Sequence, residues 1–190
     1  MSKYTNGTKI NAMAAAVRGG ISPIDNIGFK NTYRVECLDK EGNLKWEEII
    51  YNTVTNVGLD SVLTEYFKGA AYTAAFYVGL INGTTPSVLA ADTMASHAGW
   101  TENTAYSEGT RESLVLGSVA SQSVNNSASK ASYSITSDAQ TIGGIFITDT
   151  STKGGATGLL YGGGAFTGGD KSVDNGDTLN VTITLTASSV

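Results

Sequence analysis

The chain has 190 residues and a net charge of −5, and charged side chains make up only 15% of it, so it is long enough for one domain with a true core, or one domain plus an arm. An acidic balance argues against nucleic acid as the main partner, because neutralising phosphates needs a basic surface. Hydrophobic residues reach 41% and glycine 23 residues, while Pro23 and Pro86 are the only prolines; this mixture excludes a disordered chain and favours short strands joined by tight turns over a helical bundle.

Residues 1 to 30 differ from the rest. They mix Asn, Gly, Ala and Lys without a sustained period, and Lys3, Lys9, Arg18 and Lys30 make them basic in an acidic protein. Asn11 to Arg18 is long enough only for a short helix, which is marginal alone in water. The apolar run Ala12 to Val17 is too short for a signal peptide and is ended by Arg18, so the expectation is a protein made in a reducing cytoplasm and used without export. No stretch approaches the roughly 20 apolar residues of a membrane span. The segment reads as an extended arm that orders on a partner. Its candidate contact residues are Lys3, Lys9, Met13, Val17, Arg18, Ile21, Ile24 and Ile27.

From residue 31 to 190 the pattern is that of one β domain. Tyr33, Val35 and Cys37 alternate with polar residues, Lys40-Glu41-Gly42-Asn43 supplies a turn, and Leu44, Trp46, Glu48 and Ile50 return, which predicts a hairpin over Tyr33 to Tyr51. Cys37 is the only cysteine; it can form no intrachain disulfide and reads as a buried thiol. Leu59, Val62, Leu63, Tyr66 and Phe67 follow helical spacing and predict one helix, Asn56 to Lys68, capped by Thr55 or Asn56 and covering a sheet with that apolar face.

Strands are predicted at Ala74 to Ile81, Arg111 to Val119, Ala131 to Ile135, Thr141 to Thr148, Gly158 to Phe166 and Thr178 to Thr186. Gly143-Gly144 marks a bulge or a close backbone approach. Asp174-Asn175-Gly176-Asp177 marks a turn. Ser87 to Tyr106 is a long irregular connection. Together these elements predict an antiparallel β-sandwich, with a jelly-roll order left open, one packed helix and the N-terminal arm. Beyond Glu112 the charged residues thin out, which suits either a plain sandwich surface or one that packs against copies of itself.

Little in the chain asks for chemistry. His97 is the lone histidine, with no cysteine near it in sequence, so a zinc site is not expected. There is no G-x-S-x-G elbow, no Walker loop and no dinucleotide fingerprint. Asp170, Asp174 and Asp177 do not follow the EF-hand spacing and read as turn residues. Glu47 and Glu48 point to opposite faces of a strand and cannot act as a pair. The expectation is no catalysis, no metal and no cofactor.

Six segments together carry a family resemblance: GNLKWEE (42–48), YNTVTNVGLDSVL (51–63), FYVGLI (76–81), ADTMASHAGWTENTAYSEGTR (91–111), TIGGIF (141–146) and FTGGDKSVDNGDTLNVT (166–182). They resemble small virion-associated proteins of tailed bacteriophages, mostly short-tailed ones. The likeness spans roughly residues 35 to 185 and leaves the arm outside it. It implies a virion structural protein and offers no catalytic residue to carry over. The reading that follows is a capsid decoration or cement protein, made in the host cytoplasm. It would bind the major capsid protein or another virion protein, without nucleic acid or membrane, as a homo-oligomer, with a trimer favoured. A tail, neck or fibre-base component is the alternative. A carbohydrate-binding module, with Trp46 and Trp100 stacking on sugars, comes after it.

Overall fold

A computed structural model describes residues 27–69 and 75–189. The described residues form an all-β sandwich of antiparallel strands with one short helix. The first sheet holds β1 (Ile27–Leu38), β2 (Leu44–Tyr51), β7 (Ser123–Asn125), β8 (Ala131–Ser134) and β12 (Thr178–Ser189). Its order is β2-β1-β12-β7, with β8 also on β12. The second sheet holds β3 (Thr53–Val54), β4 (Tyr77–Asn82), β5 (Glu102–Asn103), β6 (Glu112–Ser113), β9 (Gln140–Thr148), β10 (Leu160–Ala165) and β11 (Lys171–Val173). Its order is β3-β10-β9-β4-β5, with β11 on β9 and β6 on β4.

Alternation drives the packing, because successive side chains on a strand point to opposite faces. Tyr33, Val35 and Cys37 of β1 and Leu179, Val181 and Ile183 of β12 are fully buried. They meet Val78 and Leu80 of β4 and Ile145 and Ile147 of β9 across the sandwich. Arg34, Glu36 and Glu47 face out, with Arg34 3.2 Å from Glu36 and 2.8 Å from Glu47. The intervening positions of β9 point the other way. Phe146 there joins Ile81, Met94, Trp100 and Leu160 in a second core, roofed by the irregular connection that begins near Thr84. Gly79 and Gly143 allow this layer to close. A Cβ at Gly79 would strike the Phe146 ring, and one at Gly143 would lie 2.7 Å from Pro86. The β4–β9 register shifts opposite Gly143, so the glycine pair is both a bulge and a close approach, as its sequence predicts.

The predicted hairpin, the last strand and the strands at 131–135, 141–148 and 158–166 are present within a few residues. Three expectations need correction. The strand expected over Arg111 to Val119 is only β6, and the chain beyond it leaves Val115, Leu116 and Val119 exposed. Residues 27 to 30, expected in the arm, are the start of β1: Ile27 pairs with Ser189 and Lys30 with Thr186. The third concerns the helix, whose span is right but whose buried face is not. It is α1 (Asn56–Val62), capped by the Thr55 side chain, which accepts from the Gly58 amide, and it continues as a π-helical turn at Leu63–Phe67. The π turn adds residues per turn and so rotates Tyr66 and Phe67 relative to Leu59 and Val62. Leu59, Leu63, Tyr66 and Phe67 are exposed, and the residue pressed onto the sheet is Gly58, whose Cβ would collide with the Tyr161 carbonyl. Lys3, Lys9, Met13, Val17, Arg18, Ile21, Ile24 and the predicted strand residue Ala74 lie outside the described residues. Among the described residues no helix is long and apolar enough to cross a membrane.

Candidate partner-binding groove

Where the rotated helix stands off the sandwich, an apolar hollow of about 340 Å3 opens. Val62 and Tyr66 form one bank, and Tyr66 is 82% exposed. Leu114 and Leu116, from the segment after β6, form the other. The floor combines Ile147 of β9, Tyr161 of β10 and Leu185 of β12, so both sheets contribute. Phe76 meets Tyr161 edge to face at 5.8 Å. Leu185 is the next inward position after Ile183 on β12; it is only half-buried because it faces this hollow. A smaller hollow of about 200 Å3 adjoins through the same Tyr161 and Leu185 and is lined further by Phe29, Val119 and Val124.

The floor has a polar backing. Asn31 of β1 is buried, and neither its Nδ2 nor its Oδ1 finds a hydrogen-bond partner among the described residues. Asn52 donates to the Tyr33 hydroxyl at 2.6 Å, while its own Oδ1 is unpaired among those residues. Burial pushes the Tyr161 phenol above its ordinary value, partly offset by the neighbouring Asn31 amide. These groups stay neutral across the physiological range, so the groove presents ring and methyl surface and little formal charge beyond Glu65 on the helix bank.

Elsewhere the residues with chemical potential are committed to structure. The His97 ring stacks on Trp100 at 3.9 Å, and its Nδ1 lies 3.0 Å from the Trp100 carbonyl. Trp100 in turn donates to buried Asp92 at 3.0 Å. Asp170 accepts from the Thr85 amide. Asp174 accepts from the Ala139 amide and from Lys45. Asp177 accepts from Lys45 at 2.5 Å and from the Asp174 amide at 2.8 Å. Gly176 has a φ of 91°, and the turn at 174–177 is the one its sequence predicts. Glu47 bonds Arg34 on the outer face, while Glu48 accepts from Gly168 and Thr167 on the other side of the strand. Cys37 is buried beside Asp177, and desolvation, with that carboxylate adding to it, pushes the thiol up to about 12. Trp100 is in the second core, and Trp46 packs edge to face on Phe166 at 5.9 Å while donating to the Ser172 carbonyl. Trp100 is buried, while Trp46 is only partly covered.

The sequence did not mark Arg111, which is fully buried. Its guanidinium forks onto Glu102 at 2.9 and 2.7 Å and donates to the carbonyls of Thr150 and Gly155. The charge also lies over the Phe146 ring at 5.1 Å. A lone Arg in a Ser/Thr/Gly-rich stretch gives no sign that loops near residues 102 and 150 will converge on it.

No family model matches this sequence. A search of curated proteins likewise finds no match. The groove and the packing therefore carry the functional argument, beside the resemblance of the six segments.

Proposed function

We propose that this chain is a non-enzymatic structural protein of a bacteriophage virion, a decoration or cement protein that binds the outer head surface through protein–protein contacts. The observation that carries the reading is the open apolar groove at the root of the N-terminal arm. A groove lined by exposed Tyr66, Leu116 and Val119 is the kind of surface that marks a protein partner. The major capsid protein, or another virion protein, is the partner in this reading, and self-association as a trimer accompanies it.

The segments that carry the phage likeness support the reading through packing. ADTMASHAGWTE supplies Met94 and Trp100 to the second core. GGDKSV leads into β11, whose Lys171 meets Glu48 at 3.1 Å. They define a scaffold that holds a surface, and a shell protein needs only that, since many copies turn modest contacts into firm attachment. The test is sedimentation of the purified protein with particles of the encoding phage from which it has been stripped. Saturable rebinding at hundreds of copies per particle supports decoration. Saturation at about a dozen or fewer would transfer the protein to the tail or neck, where rings of low cyclic symmetry set the number. No rebinding would count against both.

A further inference from the structure

We propose that the groove receives the N-terminal arm of a second copy of this chain, so that the oligomer is held by exchanged arms. This rests on reading the arm as a partner-binding segment and names its partner. Three observations point to it. The first is where the arm is rooted. β1 begins at Ile27, and Phe29, two residues on, lines the smaller hollow. The second is direction. Phe29 pairs with Ala187 and Asn31 with Leu185, so β1 enters the sheet running from the smaller hollow toward the larger one. At Ile27 the N-terminal end of the strand therefore points away from the larger hollow. An arm that keeps the heading of β1 reaches a neighbouring copy before its own groove. An extended chain covers about 3.3 Å per residue, so residues 10 to 24 can span roughly 50 Å.

The third is complementarity. The arm carries Ile10, Met13, Val17, Ile21 and Ile24, a supply of apolar side chains for a groove walled by Leu, Phe and Tyr. Residues 1 to 26 carry Lys3, Lys9 and Arg18 against Asp25 alone, leaving nine basic and sixteen acidic side chains on the remainder. A basic arm is thus drawn to an acidic domain, and Glu65 stands on the groove's helix bank. Exchanged arms close naturally into a cyclic oligomer.

The test is disulfide trapping in the full-length chain. Buried Cys37, with its thiol pushed up to about 12, stays silent. One preparation carries Leu116→Cys. The others carry Met13→Cys, Val17→Cys or Ile21→Cys. Each arm variant is mixed with the groove variant and oxidised, and tryptic peptides are read by mass spectrometry. A peptide from the arm of one chain linked to the groove of the other is the expected product. No linkage at any of the three arm positions overturns the proposal, as does linkage confined to single chains when one further preparation carries an arm cysteine and Leu116→Cys together. Leu116→Asp, at a surface position, should convert the oligomer to monomer in sedimentation, with the far-UV circular dichroism of the folded chain unchanged. An oligomer that survives Leu116→Asp, or a wild-type chain that is monomeric at all concentrations, also overturns it. Both readouts use purified protein, so their failure leaves the particle-rebinding test of the virion reading intact.

Discussion

Replacing Arg111 by Met keeps most of the side chain's length and removes its charge and donors. Glu102, whose side chain is 8% exposed, then retains only the Gly154 amide at 2.8 Å. The carbonyls of Thr150 and Gly155 lose their donor as well. Breaking a buried pair from one side leaves an uncompensated charge and costs about 3–5 kcal/mol. For a chain of this size that lowers the melting temperature by on the order of 10 °C. Guanidinium unfolding followed by the fluorescence of Trp46 and Trp100 measures it, with an unchanged slope confirming that stability alone has moved. Arg111→Lys should recover little, because a point charge cannot replace the planar fork. Adding Glu102→Leu to Arg111→Met removes the stranded carboxylate and should restore a large part of the loss, which a double-mutant cycle isolates. A loss for Arg111→Met below about 1 kcal/mol, the value of an exposed pair, would refute the claim that this pair holds the loops near residues 102 and 150 together.

Four further outcomes follow from the packing. Gly58→Ala should destabilise by about 1–3 kcal/mol through overpacking, although helix propensity alone would favour it by about 1 kcal/mol; a raised melting temperature would contradict the contact with the Tyr161 backbone. Ile183→Ala, fully buried on the central strand β12, should cost about 2–5 kcal/mol in chemical unfolding. In acid, the backbone amide of Asn43 at Asp39 and that of Ala139 at Asp174 hold those carboxyls below their ordinary values. Burial pushes Glu48 up, but Gly168, Lys171 and Thr167 outweigh it and the net shift is downward. Stability from these groups is present above the unfolded carboxylate range near about 4 and lost as pH falls through the depressed folded values, so melting should drop between about pH 5 and 3, and Glu48→Gln should flatten that drop. His97→Ala gives up a stacking contact and should cost less than about 1 kcal/mol, with attachment to particles unchanged; a normally folded variant that fails to attach would reveal a direct role for the ring.

The strands were legible because burial on one face writes a period of two into the sequence. β12 alternates Leu179, Val181 and Ile183 against Asn180, Thr182 and Thr184, and it sits at the centre of its sheet. The turn at 174–177 and the Gly143-Gly144 bulge were legible for the same local reason: few residues other than glycine tolerate those positions. The helix shows where local reading stops. Its ends are local signals, but its buried face depends on the π turn and on how closely Gly58 can approach Tyr161, which only the tertiary structure fixes. Leu114 to Val119 has strand composition yet pairs little, because β6 already lies against Tyr77 and Val78 at the start of β4, and beyond it only the Leu114 amide reaches the Phe76 carbonyl. The short strands β7 and β11 are three residues each, too short to show any period. The groove was not legible at all: its walls come from α1, β9, β10, β12 and the segment after β6, and no local run of sequence holds them together.

The central claim is that this protein is a component of the virion, bound on the outside of the head. A cryo-EM map of the particle of the encoding phage tests it most directly. The account predicts density for the two-sheet sandwich at symmetry-related positions on the outer shell, in hundreds of copies. A complete map without that density, from particles assembled in cells that make the protein, would contradict it.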